Sequence, residues 1–324
     1  MFALLTSIQS LLDNGTHVVV AIDGRCCSGK TTLAAQMEKP LLLAFEPGYH
    51  ALPGIVAQDI TSWAEMKQVY RQLKAPEVQA TFRSIIIDTI DIAADRCKKY
   101  ICNQNGIEDL GDLGYGKGWT KFKDEFNEVF RGLTQLGYAV FFIGHDKEAT
   151  VTDPTTGAER MIIRPSLSNT TKDIIAGMAD IYGYAHQLRK DEMSVLTLRD
   201  TSGLIDCGCR FKYIPNEISM IYQNLVNALE AAIDKEAQET DGKFITTERV
   251  TGPAAVNYDY EALMKEFGDV VGSLVEKDSA YYVPRITQIV EKYLGKGKKV
   301  AEATIEQVEF IYLILSEIKE DLCN

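Results

Sequence analysis

The sequence lacks any segment long and apolar enough to cross a bilayer, and it lacks basic residues at its start. The longest apolar run near its C-terminus, Phe310–Leu315, has six residues, whereas a membrane-spanning helix needs about 20. No Lys or Arg precedes Arg25, so the basic region that opens a secretory signal is missing. These absences predict a cytoplasmic protein with no membrane partner.

The cysteines lack the spacing of a disulfide framework or a zinc ribbon. Seven are present, an odd number, and no two of them form a C-x-x-C pair. This pattern fits a reducing compartment and matches none of the usual spacings of a structural zinc site. We therefore expect free thiols at Cys26, Cys27, Cys97, Cys102, Cys207, Cys209 and Cys323.

Basic residues are outnumbered, since 34 Lys and Arg face 46 Asp and Glu, for a net charge of -12. This balance excludes a uniformly basic coat for nucleic acid, but it leaves room for a local basic groove. Residues 221–324 hold 19 Asp and Glu against 11 Lys and Arg. Any anion site is therefore expected in the first two thirds of the chain.

Apolar runs bounded by turn residues recur through the first 220 residues and alternate with segments of helical periodicity. Near-continuous apolar strands that alternate with helices are typical of an α/β domain with a mainly parallel sheet covered on both faces. Asp153 and Gly157 also predict the turn of a hairpin within residues 151–164. The predicted strands are 17–23, 40–46, 84–88, 138–145, 181–188 and 194–199, and the predicted helices are 62–73, 92–102 and 120–136.

After about residue 217 the strand pattern stops and helical periodicity replaces it. A helix is predicted at 217–239, and three more are predicted at 258–276, 283–294 and 304–322. The last of them begins with Thr304 and Gln307 in the spacing of a capping box. The predicted organisation is an N-terminal helix at 1–16, an α/β domain at 17–239, a linker at 240–257 and a small acidic helical module at 258–324.

A phosphate-binding motif follows the first predicted strand. Residues Gly24–Thr31 match G-x-x-x-x-G-K-[ST], and a helix follows, so backbone N–H groups and the helix N-terminus converge on phosphate oxygens. Lys30 is predicted to neutralise the β- and γ-phosphates of ATP, and the Thr31 hydroxyl to ligate Mg²⁺. The residues predicted to bind the nucleotide are Gly24, Arg25, Cys26, Cys27, Ser28, Gly29, Lys30, Thr31 and Thr32.

Three further polar side chains stand at the ends of predicted strands. Asp88 ends an apolar run and is the predicted acid of the Mg²⁺ site. Glu46 ends the second strand, where it would orient or deprotonate an attacking water; otherwise it is a solvated strand end. His145 ends a later strand, where it either donates a hydrogen bond to the γ-phosphate or is an ordinary strand-end histidine.

In this order and spacing, the phosphate-binding loop, Glu46, Asp88, the loop Gly114–Trp119 and the strand end Phe142–Lys147 resemble the phage-encoded RecA-like ATPases of the Sak-four type. These are relatives of RecA and RadA that are associated with phage recombination and single-strand annealing. The resemblance implies a RecA-like P-loop fold, water activation by Glu46, a γ-phosphate sensor at His145 and a DNA-contacting loop after it. It also implies a ring or filament of identical subunits.

The resemblance implies a function for two cations late in the α/β domain. Residues 206–214 are predicted to be extended, which places Arg210 and Lys212 on one side of the chain. In RecA-like assemblies a basic pair in such a position reaches the γ-phosphate of the neighbouring subunit. The alternative is two solvated cations on an edge strand.

Two loops, 106–118 and 147–164, are predicted to project from one rim of the sheet and to bind DNA. Tyr115 or Trp119 would stack on an unpaired base, unless Trp119 is buried at the start of the following helix. The predicted phosphate contacts are Lys117, Lys147, Arg160 and Arg164.

The predicted function is a Mg²⁺-dependent ATPase that binds single-stranded DNA, assembles with itself and supports phage recombination or annealing in the host cytoplasm. A single-strand-binding protein is a further expected partner of the acidic helices, whose alternative role is a solvated bundle. Two other functions fit the same motif: a small-molecule kinase of the nucleoside type, whose P-loop this one also resembles, and an ATP-switched assembly protein. A kinase needs an arginine-bearing lid that excludes water, and only Arg160 and Arg164 lie near the predicted hairpin.

Overall fold

The structure is a computed structural model that describes residues 18–52, 54–152, 156–187, 193–240 and 258–322. The chain divides into two compact units, one within residues 1–249 and the other within 250–324. The predicted helix at 1–16 lies outside the described residues, as does the predicted linker after Thr240. Within the described ranges, no helix has the length and hydropathy to span a membrane.

Strands and helices alternate through the first unit, which confirms the predicted α/β class. The elements up to the end of the fifth strand are β1 (Val19–Gly24), α1 (Lys30–Ala34), β2 (Pro40–Ala44), β3 (Val56–Asp59), α2 (Trp63–Gln72), α3 (Pro76–Thr81), β4 (Ser84–Asp88), α4 (Ile90–Asn105), α5 (Lys117–Gln135) and β5 (Ala139–Gly144). The remaining elements are β6 (Asp146–Thr152), β7 (Glu159–Pro165), α6 (Asn169–Met178), β8 (Ile181–His186), β9 (Val195–Thr197), β10 (Gly208–Cys209), β11 (Glu217–Ser219) and α7 (Tyr222–Glu239).

Six parallel strands of the main sheet run in the order β8-β1-β5-β4-β2-β3, with β3 at one edge. β9 and β10 pair antiparallel with β8, and β11 pairs antiparallel with β9. The strand that leads into the phosphate-binding loop, β1, is therefore separated from β4 by β5 alone. Because parallel strands end at one edge of the sheet, the residues that follow β1, β2, β4 and β5 meet there.

The central strands are buried on both faces. In β1, Val19 and Ala21 pack into one hydrophobic core, whereas Val20 and Ile22 pack into a second core on the opposite face. Helices α2, α4, α5 and α6 cover the first core, and α1 and α7 cover the second. A strand with no solvated side needs no polar positions, which explains the unbroken apolar runs of the sequence.

The hairpin predicted within 151–164 is present as β6 and β7, whose antiparallel pairing runs from Asp146 opposite Pro165 to Thr152 opposite Glu159. Two other predictions were wrong. Glu217–Ser219 is a strand and not the start of a helix, because these residues pair with β9 at the sheet edge. The extended segment predicted at 206–214 is reduced to Gly208–Cys209, since the chain then turns and the Ile214 N–H donates to Phe211 O.

The described part of the second unit contains α8 (Tyr260–Leu294) and α9 (Val308–Leu322), which share a core that includes Leu274, Ile289, Ile311 and Ile314. α8 contains a break at Asp278, whose carboxylate accepts a hydrogen bond from the Tyr281 N–H. The two helices predicted at 258–276 and 283–294 are thus the two parts of α8. At the start of the third, Gln307 Oε1 accepts from the Thr304 N–H, as the capping-box spacing predicts.

Candidate nucleotide site

The phosphate-binding loop leaves β1 at Gly24 and enters α1 at Lys30. Gly24 has a φ of 154°, and a Cβ at this position would lie 2.2 Å from Ala185 O of the adjacent strand β8. Gly29 has a φ of 91° and leaves open space where a Cβ would stand. A side chain at Gly24 would clash, and one at Gly29 would force a left-handed backbone on a residue that resists it.

The Lys30 side chain is buried across this loop. Its amino group donates hydrogen bonds to Gly24 O at 2.7 Å and to Arg25 O at 2.8 Å. Burial lowers the pKa of Lys30, and the carboxylate charge of Asp88 counteracts that effect. The hydroxyl of Ser28 is buried with no hydrogen-bond partner, which is what a cradle for external acceptor oxygens requires.

Thr31 and Asp88 meet where α1 begins and β4 ends. The Thr31 hydroxyl donates to Asp88 Oδ2 at 2.8 Å. Asp88 is buried, and burial raises its pKa, while the hydrogen bond from Thr31 lowers it. A hydroxyl and a carboxylate are the oxygen ligands that Mg²⁺ takes beside phosphate and water, so these two residues fit the ion. Within the described ranges, no group of three or more His, Cys, Asp and Glu side chains forms another candidate metal site.

Glu46 and His145 line the same cleft. Glu46 Oε1 lies 3.6 Å from His145 Nε2, and the Glu46 N–H donates to Asp88 O at 3.4 Å. The cleft measures about 350 Å³. It is lined by Cys26, Cys27, Ser28, Gly29, Lys30, Thr31, Thr32, Glu46, Gly48, Ala51, Leu52, Asp88, Thr89, Ile143 and His145. The structure thus brings most of the predicted nucleotide-site residues to one place.

Asp91, which the sequence analysis missed, orients His145. His145 Nδ1 lies 2.8 Å from Asp91 Oδ2. Burial alone would lower the pKa of His145, but the hydrogen bond and charge of Asp91, together with the charge of Glu46, raise it above its ordinary value. No local signal in the sequence identified Asp91, because it stands in the first turn of α4 and meets His145 only through the pairing of β4 with β5.

A second missed carboxylate lies directly before the phosphate-binding loop. Asp23 is 5% exposed, and burial raises its pKa to about 7. The Tyr182 side chain acts in the opposite direction, and the charge of Asp91 adds to the increase. Gly144 makes room for this carboxylate, since a Cβ there would lie 2.0 Å from Asp23 Oδ1.

Arg210 and Lys212 lie away from the cleft of their own subunit. Arg210 donates to Asp180 Oδ1 at 3.3 Å and to Gly177 O at 2.7 Å. Asp180 precedes β8, so Arg210 is held at the edge of the sheet opposite the phosphate-binding loop. The ammonium group of Lys212 lies 4.7 Å from the centre of the Tyr213 ring. Because residues 210–212 are not extended, the two cations do not share one side of a strand as predicted.

The helices that follow the two loops predicted to bind DNA, α5 and α6, adjoin each other. Trp119 and Thr120 in the first turn of α5 line one groove with Thr170 in the first turn of α6. Trp119 is half-buried and packs edge-to-face on Phe122 at 6.1 Å. Tyr115, by contrast, is fully exposed.

The four cations predicted for DNA differ in their availability. Lys117 and Arg160 are exposed. Lys147 is exposed, but its amino group donates a hydrogen bond to Leu167 O at 3.2 Å. Arg164 is half-buried and donates to Asn169 Oδ1 at 2.8 Å. Lys117 and Arg160 are therefore the cations with the most freedom to meet an external phosphate.

Comparison with known proteins gives one family and one curated relative. A family model described as an AAA domain matches residues 16–206, more than half of the chain. The SPbeta prophage-derived uncharacterized protein YorG of Bacillus subtilis (strain 168) is 29% identical over 311 residues, which cover 94% of each protein.

Two solved structures show a more distant similarity. The RadB recombinase is 17% identical with a TM-score of 0.35, covering 59% of this chain and 86% of its own. A KaiC-like protein, PH0186 of Pyrococcus horikoshii OT3, is 16% identical with a TM-score of 0.33, covering 58% of this chain and 79% of its own.

Proposed function

The chain belongs to the AAA domain family, and from this premise and the geometry of the cleft we propose that it is a Mg²⁺-dependent ATP hydrolase. We further propose that it acts on single-stranded DNA and supports phage recombination or annealing, as the Sak-four resemblance implies. The observation that carries the hydrolase proposal is that a single cleft is lined by Lys30, Thr31, Asp88, Glu46 and His145.

The residues that would contact the phosphates and Mg²⁺ act by neutralising negative charge. When ATP enters, the Lys30 amino group exchanges its contacts with Gly24 O and Arg25 O for phosphate oxygens, which its positive charge neutralises. Thr31 and Asp88 would hold Mg²⁺, and the ion would supply further charge neutralisation on the phosphates. The buried Ser28 hydroxyl and the backbone N–H groups of the loop donate to the remaining oxygens.

Glu46 and His145 act on the attacking water and on the negative charge that develops at the γ-phosphate. Glu46 orients the attacking water and takes its proton. Because Nδ1 of His145 is engaged by Asp91, only the protonated imidazole also has an N–H at Nε2 to donate to the γ-phosphate. The raised pKa of His145 favours that protonated form.

The DNA part of the proposal rests on the prophage relative and on exposed residues of the two predicted loops. The relative YorG is named as prophage-derived, which is in keeping with a phage origin for this chain. Exposed Lys117, Arg160 and Tyr115 stand on the two predicted loops, where they would contact phosphates and stack on a base. Arg210 lies at the edge of the sheet far from the cleft of its own subunit, so self-assembly on DNA would place it within reach of a neighbouring subunit's cleft. A single-strand-binding protein would contact the acidic helices.

Release of phosphate by the full chain tests the hydrolase proposal. We expect free phosphate from Mg²⁺ and ATP, with the rate increased by single-stranded DNA, and no phosphate transfer to nucleoside acceptors on thin-layer plates. Lys30→Ala should lose nucleotide binding and turnover, because backbone amides alone do not offset the triphosphate charge. Lys74→Ala is the control, since Lys74 is an exposed cation beyond the end of α2.

Three outcomes contradict the proposal. Turnover retained in a pure Lys30→Ala preparation would remove the phosphate-binding assignment. Transfer of phosphate to a nucleoside hydroxyl would identify a kinase, and tight ATP binding without phosphate release would identify an ATP-switched assembly protein.

A further inference from the structure

Two cysteines occupy adjacent positions in the phosphate-binding loop. Cys26 and Cys27 are both exposed, and their sulfur atoms lie 3.3 Å apart. Both line the cleft that also contains Lys30 and Thr31. The loop that would surround the phosphates therefore carries a pair of solvent-facing thiols already in contact.

The other thiols of the described residues have different surroundings. Cys97 and Cys102 are buried in the core beneath the main sheet. Cys207 and Cys209 are half-buried, and burial raises the pKa of Cys207 to about 11. Since thiol reactivity follows exposure and thiolate formation, Cys26 and Cys27 are the most accessible of these cysteines.

We propose that Cys26 and Cys27 are a modification site, a dithiol that glutathione disulfide oxidises to a disulfide, and that this oxidation weakens nucleotide binding by the loop. A thiolate of the pair attacks one sulfur of glutathione disulfide, which forms a protein–glutathione disulfide and releases one glutathione. The second cysteine then attacks the protein sulfur of that bond, which closes the Cys26–Cys27 disulfide and releases the second glutathione. Two protein thiols are oxidised and one glutathione disulfide is reduced to two thiols, so the exchange needs no further oxidant.

The two sulfur atoms are close enough for the second exchange step to occur within one molecule. Contact with Cys26 raises the pKa of Cys27, although the charge of Lys30 acts in the opposite direction. The 3.3 Å separation places the second thiol beside the mixed disulfide that forms on the first, so closure is intramolecular.

Closure must change the backbone of the loop. Adjacent Cα atoms are held about 3.8 Å apart by a trans peptide, whereas disulfides usually join Cα atoms about 4.4–6.8 Å apart. The sulfur atoms must also approach from 3.3 Å to about 2.0 Å. Cys27 already has a left-handed φ of 62°, so the distortion falls on a tight turn whose N–H groups have to point at phosphate.

The inference rests on the proposed nucleotide site, and the test separates the two. The full chain is incubated with glutathione disulfide or with a reductant, and each sample is titrated with a fluorescent ATP analogue in the presence of Mg²⁺. Trypsin should release residues 26–30 as one peptide, because Arg25 and Lys30 are its cleavage sites. We expect this peptide to lose about 2 Da on oxidation, affinity to fall at least about tenfold, and reductant to restore both.

Matched variants locate the effect. Whatever affinity Cys26→Ser/Cys27→Ser has in reductant, glutathione disulfide should leave that affinity unchanged, whereas Cys207→Ser should remain as sensitive to glutathione disulfide as the wild type. Phenylarsine oxide provides a second probe, since it condenses with two thiols and releases water. It should inhibit the wild type but neither Cys26→Ser nor Cys27→Ser, each of which retains one thiol.

Each remaining outcome has one meaning. If the reduced wild type does not bind the analogue, the proposed nucleotide site is wrong, and the inference that oxidation weakens nucleotide binding is wrong with it. If the reduced protein binds but the 2 Da loss leaves affinity unchanged, or no such loss occurs, only the dithiol inference is overturned. Persistent sensitivity of the double serine variant would also overturn it.

Discussion

His145 Nδ1 lies 2.8 Å from Asp91 Oδ2, although the two residues are 54 positions apart in the chain. β4 and β5 are neighbours in the sheet, so the helix that follows β4 begins beside the residue that follows β5. The Asp91 carboxylate fixes the orientation of the imidazole and leaves Nε2 facing Glu46. A histidine held in this way stays protonated to a higher pH than an exposed one.

Replacing Asp91 with Asn tests this arrangement. In the wild type, turnover should fall as pH rises through the raised pKa of His145, because the neutral imidazole cannot donate from both nitrogens. Asp91→Asn removes the charge that raises this pKa, so its turnover should fall at a lower pH. The measurement is kcat against pH, with Asp95→Asn on an exposed face of α4 as control. Profiles of wild type and Asp91→Asn that superimpose would show that His145 protonation does not govern the rate.

Glu46→Gln should separate binding from chemistry. The amide keeps the shape of the side chain but cannot accept the proton of water, so we expect kcat to fall about 10²–10⁴-fold with little change in ATP affinity. Glu77→Gln, at an exposed position in α3, is the control. The readouts are phosphate release and a titration with a fluorescent ATP analogue. Loss of affinity together with loss of turnover would assign Glu46 a structural role.

The buried carboxyl of Asp23 predicts a pH dependence of stability. Its pKa is raised to about 7 in the folded protein from 3.8, so between these values the folded state keeps a proton that the unfolded state has released. The free energy of unfolding contributed by Asp23 should therefore fall by about 1.4 kcal/mol per pH unit as pH rises through this window, and then level off.

Asp23→Asn removes this titration. Denaturant unfolding of both proteins between pH 4 and pH 8 should show the wild type losing stability relative to Asp23→Asn as pH rises. A constant difference across the range would contradict a raised pKa at Asp23.

Arg210 and Lys212 predict complementation between inactive subunits. Arg210→Ala/Lys212→Ala should be inactive alone if these cations act on a neighbour's cleft, and Lys30→Ala is expected to be inactive in its own cleft. Mixed assemblies contain some clefts with an intact Lys30 beside an intact Arg210, so part of the phosphate release should return. Absence of any recovery in subunits shown to co-assemble would leave Arg210 with its contacts to Asp180 and Gly177 alone.

The predicted DNA loops are tested by the salt dependence of binding. Lys117→Ala and Arg160→Ala should each flatten the slope of log affinity against log salt concentration by about one unit, because the loss of one phosphate contact reduces the number of counterions released when DNA binds. If the Tyr115 ring stacks on a base, Tyr115→Ala should weaken the free energy of DNA binding by about 1–3 kcal/mol. Lys74→Ala serves as control, and slopes for Lys117→Ala and Arg160→Ala equal to that of the wild type would exclude these loops from a DNA site.

Much of the fold was predictable because its signals are local. Strands buried on both faces appear as unbroken apolar runs, and β4 was predicted with its observed ends. The short segments at the sheet edge were not, because 217–219 becomes a strand only by pairing with β9. The same limit applies to 206–214, which was predicted to be extended but of which only Gly208–Cys209 pairs with β8.

For the site, the sequence by itself determined the phosphate-binding loop, since the two glycines, Lys30 and Thr31 act through the backbone of one continuous segment. It also placed Glu46, Asp88 and His145 at strand ends, and parallel pairing then made their meeting at one edge predictable. Only the tertiary structure decided the pairing of His145 with Asp91, the burial of Asp23 against Gly144, and the placement of Arg210 at the opposite edge. These depend on which strands are neighbours and how closely their side chains approach, and no local spacing in the chain encodes that information.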